Sequence, residues 1–571
     1  MTLAEKSSNR FNSILPNQTV RDILFLLIVI SLSRILFVFQ IGFYSDDWSF
    51  LEMLFFDKIN IWDNYRPGYL ITWKFLYAFF GFSPEGYHFV NTFIFYFNAI
   101  LLYLILKKLR LPHIFVISIP LLFILLPHYS TFHFWPSVIP NHFCLVMCLG
   151  SLLLDLKSLE SPFPKFLIWK FISVIAIIVS VLTYELFLAF FYFNLIVTYY
   201  YFRKLKSDPI EKKEISKKKL IWLLLVNFIS LKIALVYKMF FTVTSVRMMG
   251  SDTSFFDHLS GLLANTFRLD YGDYDYGFNI VQSFKTNFIE YGIELPTKLI
   301  HIYNNYPSLP IFFIGLFLTL LIFGYLFFIV KKYDFVIFKL KSFVIMILLG
   351  LIIFFWGYSI FLTNYSIAFS TTGVANRVTI GVAIGIAIIY IGLITSISTL
   401  IKNIKFRNIF FSSLVTFTCV SGFIITNTIA DFWKDAYIFQ NETMVEIKNK
   451  LPELPENTNL IIDGICPYNG PAIIFECSWD MGGALRIAYS DTTIQGDVVA
   501  PDLQVTDEGI VTSIYETDYF YPYNILIYNF NEKDVFNISN KDEAIEYFES
   551  VNSNFYNNCS ESHETHGEKI F

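Results

Sequence analysis

Two carboxylates stand side by side in Phe43-Tyr44-Ser45-Asp46-Asp47-Trp48, directly after the first long apolar run. Adjacent acids at a membrane face are costly when dehydrated. One Asp at mid-bilayer costs about 3 kcal/mol on insertion scales, and a pair also repels itself. Two readings stand. The pair is a solvated helix end with Trp48 as an interfacial anchor, or it does chemistry, as a base toward a hydroxyl or as a ligand for a divalent cation. A neighbouring carboxylate raises one pKa of a pair and brings it nearer to a working base. Arg66 follows in Trp62-Asp63-Asn64-Tyr65-Arg66-Pro67. It is expected to hold the acidic loop through an ion pair with Asp46 or Asp47, a contact of positional value because surface pairs are weak.

Other residues have types suited to binding. Arg377, in Thr371-Thr372-Gly373-Val374-Ala375-Asn376-Arg377, carries a fork that matches phosphate oxygens. Its plain alternative is an arginine snorkelling to headgroups. Arg34 lies inside the first apolar run, where a charge needs a buried partner such as Glu185 or a bound anion. Glu185, after Tyr184, marks a tight turn on the plain reading. Lys232 and Lys238 raise the same question as Arg34. His128, His133 and His142 cluster at spacings that match no zinc motif, so satisfied histidines are expected and no metal ligand is assigned. Asp270-Tyr271-Gly272-Asp273-Tyr274-Asp275 contains Asp-x-Asp but reads as a solvated loop. Cys466 and Cys477 are a candidate disulfide pair in an oxidising space, which leaves Cys559 over.

The elements that position these residues follow from composition. Of 571 residues, 55% are hydrophobic and 16% charged, with 65 Phe. A soluble domain carries about a quarter charged residues. Apolar runs near 22–42, 86–106, 113–128, 138–156, 167–183, 186–202, 220–243, 309–330, 342–362, 378–400 and 409–429 predict about eleven spans of roughly 20 residues each. Lys107, Lys108 and Arg110, the cluster from Arg203 to Lys219, Lys331, Lys332, Lys339 and Lys341, and Lys402, Lys405 and Arg407 all fall on one side if the N-terminus is cytoplasmic. The stretch 69–80 is too interrupted to span and reads as a helix lying in the interface.

Residues 431–571 hold 7 Lys+Arg against 25 Asp+Glu, whereas the first 430 hold 35 against 22. This predicts a basic membrane domain, 1–430, and an acidic soluble domain, 431–571, outside the membrane. The tail should begin with an amphipathic helix near 431–450. Strand-like runs follow at 459–463, 472–475 and 524–528, with a last helix near 542–549. The fold class is therefore mainly α: a polytopic helix bundle with a small C-terminal α/β or α+β domain.

The acidic motif after the first span, the Arg66-Pro67 about 20 residues on, the interfacial helix, and Pro84-x-x-x-His88-x-x-Asn91 leading into the second span together resemble GT-C glycosyltransferases, sharply over 22–110 and weakly to about 430. That resemblance implies an integral membrane transferase of the plasma membrane. The sugar would pass from a polyprenyl- or dolichyl-phosphate carrier to a glycan, lipid or protein acceptor on the outer face, in cell-envelope glycan synthesis. An Asp of the first outer loop would be the base of an inverting transfer, which points to Asp46 or Asp47, with Asp46 preferred and Asp47 positioning the acceptor. A late-span arginine binding lipid phosphate points to Arg377, a second outer acid that orients the acceptor points to Glu185, and His133 would reach the same phosphate. A divalent cation is a candidate cofactor. Membrane lipid is an expected partner and nucleic acid is not. The rival classes are a transporter or flippase of lipid-linked saccharide, slightly favoured by Arg34, Lys232 and Lys238 but lacking repeated halves, and a polysaccharide polymerase or ligase, whose large outer loop would carry paired arginines, whereas 244–308 is poor in Arg.

Overall fold

A computed structural model describes residues 18–61, 64–207, 216–242, 280–332, 340–363, 370–499, 503–512, 517–521 and 523–550. Trp62-Asp63, the Asp-x-Asp stretch at 270–275 and Cys559 lie outside these. The N-terminal part runs α1 (Gln18–Arg34), α2 (Asp46–Phe55), α3 (Pro67–Phe80), α4 (Pro84–Lys108), α5 (His113–Leu125), α6 (Ile139–Glu160), α7 (Phe163–Thr183), α8 (Leu188–Ser207) and α9 (Lys217–Thr242). After Ile280–Phe284 and a π-helical stretch, Lys285–Ile293, come α10 (Leu295–Asn305), α11 (Leu309–Lys332), α12 (Leu340–Tyr358), α13 (Ala383–Thr399) and α14 (Ile404–Lys450).

Among the described residues, eight helices are long and apolar enough to cross a membrane, and a ninth if Val374–Gly381 and Ala383–Thr399, bent by 72°, count as one span. Helices stand at all eleven expected positions. Two fall short on length: α1 has 17 residues and gives way to turns over 35–40, and α5 has 13. The chain is an integral, multi-pass membrane protein.

The helix expected over 69–80 is present as α3. Proline opens it, where its fixed φ suits the first turn. One face buries Tyr69, Leu70, Trp73 and Leu76, while Ile71, Phe75 and Phe79 are exposed. A helix apolar on both faces fits a surface with protein on one side and lipid on the other.

Helix α14 has 47 residues, about 70 Å at 1.5 Å per residue. It is continuous through 430/431, so the expected domain boundary falls inside it. Its far half carries the soluble domain. There the sheet runs in the order β2–β1–β3–β4, where β1 is Thr458–Asp463, β2 Gln495–Val498, β3 Asn524–Asn529 and β4 Asp534–Ile538. Strand β1 is parallel to β2 and β3, whereas β4 is antiparallel to β3. Helix α15 (Ser478–Tyr489) crosses from β1 to β2, and α16 (Lys541–Ser550) closes the described chain. A short antiparallel sheet over 504–520 completes an α/β domain. Of the run 472–475, only Ala472–Ile473 is strand. Cys466 is in a disulfide, but not to Cys477, whose thiol is free and buried at the N-cap of α15.

Candidate active site

The acidic pair opens α2, and its two members face different surroundings. Asp47 is 0% exposed. It accepts the Tyr44 N–H at 2.8 Å and the Ser137 hydroxyl at 2.5 Å. Burial pushes its carboxyl well above the usual aspartate range, against the lowering effect of those two bonds. Asp46 is half-buried and lines a cavity of ≈ 210 Å³ with Arg66, Tyr69, Trp135, Tyr184 and Arg377. Two residues adjacent in sequence thus divide into an interior group and a cavity group, because neighbours on a helix point about 100° apart.

Arg66 does not pair with the acidic loop. Its Nε donates to Glu185 Oε2 at 3.2 Å, its Nη2 bonds Glu185 Oε1, and its plane stacks on the Tyr184 ring with Cζ 3.9 Å from the centroid. The reason lies two residues on, where Gly68 meets the end of α7. A Cβ there would stand 3.0 Å from Thr183 Cα, so a glycine permits the approach that brings Arg66 to Glu185. Lys238 Nζ joins the same carboxylate at 2.5 Å. Glu185 is therefore held between two cations and outside the cavity lining, and it is not the partner of Arg34.

Arg34 is 1% exposed. Its Nε donates to Thr92 Oγ1 at 3.0 Å, its Nη1 meets His133 Nδ1 at 2.6 Å, and its guanidinium lies over Phe95 at 4.5 Å. A guanidinium only donates, so His133 Nδ1 is the acceptor and that imidazole is neutral. His133 is taken up by this contact, 4% exposed and away from the cavity. His142 meets Asn91 Oδ1 at 3.0 Å and His128 meets the Asn287 carbonyl at 2.9 Å. The three histidines thus go to separate partners and share no ligand, but the expectation that they are satisfied is met at only one nitrogen each: His128 Nδ1, His133 Nε2 and His142 Nε2 are buried with no hydrogen-bond partner.

Arg377 sits in the 3₁₀ stretch before the 72° bend. It is exposed at the cavity mouth with Cζ 5.0 Å from the Trp135 centroid. Its neighbour Asn376 fixes the loop: Oδ1 accepts the Thr131 N–H at 3.1 Å and Nδ2 donates to Ser130 Oγ at 2.7 Å. Trp135 Nε1 in turn donates to the Tyr44 carbonyl at 3.0 Å, two residues before Asp46. This chain of contacts ties the arginine to the acidic loop across more than 300 residues of sequence.

The soluble domain forms part of the same structure. Ser45 holds φ 47° and ψ −120°, a region costly for a residue with a Cβ. Its hydroxyl does not cap α2 but bonds Glu476 Oε1, and Tyr468 OH donates to Glu476 Oε2 at 2.6 Å. Helix α15 lies on α2 so closely that a Cβ at Gly483 would be 2.9 Å from the Trp48 carbonyl oxygen. Arg486 pairs with Glu52 at 2.9 Å beside it. None of these tail contacts was expected from sequence. Pairs 431 and 434 residues apart leave no local signal.

A cation needs several hard oxygen ligands. Asp46 is the one carboxylate among the described residues lining the cavity, and two arginines share that lining. These residues do not fit a divalent cation, and no step is derived through one. Among the described residues, Glu476, Cys477 and Asp480 bring metal-capable atoms within 4.8 Å of one another. Asp480 is occupied by the Glu476, Cys477 and Met481 N–H groups, and Glu476 by Ser45 and Tyr468, so this group reads as the cap of α15.

Fold and site together define a membrane-embedded helix bundle with a charged, aromatic-lined cavity beneath a docked α/β domain. No family model matches the chain, and no curated protein sequence matches it. Among solved structures it is similar to ArnT from Cupriavidus metallidurans bound to undecaprenyl phosphate, at 10% identity over 85% of this chain and 86% of that one, with TM-score 0.35. It is also similar to the Archaeoglobus fulgidus oligosaccharyltransferase tethered with an acceptor peptide, at 13% identity over 83% of this chain and 63% of that one, with TM-score 0.38. At these values the likeness assigns no activity.

Proposed function

We propose that the protein is a membrane glycosyltransferase of the GT-C kind, moving a sugar from a polyprenyl- or dolichyl-phosphate carrier to a hydroxyl-bearing acceptor. The observation that carries this reading is the cavity in which the Asp46 carboxylate and the exposed Arg377 guanidinium share one lining. A transfer of this type needs both: a carboxylate to take a proton, and a cation where the leaving phosphate gathers charge.

In the proposed step the acceptor oxygen bonds to the anomeric carbon on the face opposite the phosphate. Its proton passes to the Asp46 carboxylate. The bond from the anomeric carbon to phosphate oxygen breaks, and its electron pair leaves with the lipid phosphate, which Arg377 stabilises with two donors. The result is inversion. Asp47 acts as a positioning residue, holding the turn through Tyr44 and Ser137. Arg66 keeps its place through Glu185, and the aromatic walls present ring faces to the sugar. The site and soluble domain then lie on the outer face of the plasma membrane, with the N-terminus cytoplasmic. Hexose or pentose, and glycan, lipid or protein acceptor, are distinctions within this reading.

The transporter reading draws no support from Arg34 and Lys238, which are held by Thr92 with His133 and by Glu185. The deciding experiment reconstitutes purified protein in vesicles with labelled polyprenyl-phosphate sugars and a panel of acceptors. Release of free polyprenyl phosphate together with sugar on an acceptor supports the proposal. Movement of intact lipid-linked sugar across the bilayer without cleavage contradicts it.

A further inference from the structure

A second cavity, ≈ 450 Å³, opens at the far end of the bundle from Asp46. The distance follows from α4, whose first turns lie by the acidic loop, with His88 meeting the Gly42 carbonyl at 3.1 Å, and whose last turn carries Lys107 and Lys108. Twenty-five residues of helix separate the two ends, about 37 Å. The lining comes from α1, α4, α6 and α8.

Among the described residues, Lys107, Lys108, Arg110 and Lys157 line this cavity with one acid, Glu160. That acid is engaged by Lys108 at 2.9 Å and by the Tyr201 hydroxyl. Lys107 donates to Thr19 Oγ1, a neutral partner that leaves its charge uncompensated there. Leu104 and Leu153 supply apolar wall about one turn deeper along α4 and α6 than Lys107 and Lys157. Cations at a helix end are ordinary in themselves, since they complement the dipole and the membrane surface. A cavity that places four of them above two leucines, at the level where a bilayer passes from headgroup to chain, has the shape and polarity of a lipid headgroup with its first carbons.

We propose that this cavity binds the phosphodiester headgroup of an anionic phospholipid, with the phosphate between Lys107 and Lys157 and the glycerol and first acyl carbons against Leu104 and Leu153. The site is independent of the transfer chemistry and lies at the opposite membrane face. It would hold the ends of α1, α4, α6 and α8 together from below.

The test is native mass spectrometry of the full-length protein extracted from mixed phosphatidylglycerol and phosphatidylcholine, with melting temperature recorded in each lipid. Wild type should retain phosphatidylglycerol in preference to phosphatidylcholine. The double variant Lys107→Gln/Lys157→Gln should lose that preference by about tenfold or more. Lys331→Gln/Lys332→Gln, at the end of α11 outside the cavity, should keep it. Equal retention of both lipids by wild type overturns the proposal, whether or not the double variant folds. So does undiminished retention by the cavity variant, or an equal loss in the α11 control. Inorganic phosphate is the third arm: if millimolar phosphate displaces the lipid and raises the melting temperature as phosphatidylglycerol does, the site is one for free phosphate and the lipid assignment fails.

Discussion

The bundle has a cavity at each end, and they differ in what faces what. At one end a half-buried carboxylate shares its walls with two arginines and several aromatic rings, and a folded domain rests on the loop that carries the acid. At the other end, among the described residues, four cations share the lining with one acid and a pair of leucines. Opposite charges held apart in one cavity are costly to build and suit a reaction in which charge moves. Like charges at a rim need no such arrangement and suit retention of an anion. The contrast lies in reach: residues 431 and 434 positions apart converge at the first end, whereas a non-glycine residue at positive φ stands at both, Ser45 at 47° and Arg110 at 54°.

The predictions work on that contrast. Asp46→Asn should lower transfer by about 10²–10⁴-fold, the usual worth of a positioned base, while leaving phospholipid retention at the far end unchanged. Arg377→Ala should cost about 10²-fold, mostly in kcat, because its value grows as the phosphate leaves. Both are read by transfer kinetics. Ser45→Gly separates strain from contact: glycine takes φ 47° freely, so the melting temperature should hold or rise, while loss of the Glu476 bond should slow transfer several-fold with KM little changed. Equal loss of stability and rate would instead make Ser45 a plain structural residue. Asp47→Asn should change transfer least.

Asp47 also makes a pH prediction. Its carboxyl is raised by burial, so the folded protein binds that proton more tightly than the unfolded chain does. The stability it contributes is whole below the ordinary aspartate value of about 4 and is lost as pH rises through the folded value. Asp47→Asn should flatten that fall in a melting-temperature series against pH. An unaltered slope would place the titration elsewhere.

Much of the frame was legible in the chain because each apolar run, interfacial stretch and strand has a local period. The helix expected at 69–80 is α3, and the runs at 459–463 and 524–528 are β1 and β3 to within a residue. The acidic pair drew notice because charge at a membrane face is costly, and Arg377 because its fork matches phosphate oxygens; the structure brings Asp46 and Arg377 to one cavity lining. What could not be read is the pairing. Arg66 was expected on Asp46 or Asp47 and lies on Glu185, since nothing in sequence shows that Gly68 lets α3 close on α7. Helix α14 was expected to break near 430, where its composition turns from apolar to amphipathic. The backbone needs no break there, because a helix satisfies its own hydrogen bonds in lipid and in water alike. Glu476 escaped notice because its role depends on a domain folding back onto a loop 431 positions earlier.

The most direct test of the central claim is the anomeric configuration of the product, with single-turnover rates of wild type, Asp46→Asn and Asp47→Asn on a polyprenyl-phosphate sugar. The account predicts inversion at the anomeric carbon, one free polyprenyl phosphate per sugar transferred, a rate lost by at least about 100-fold in Asp46→Asn, and a rate within about tenfold of wild type in Asp47→Asn. Retention of configuration, or an inactive Asp47→Asn beside an active Asp46→Asn, would contradict it.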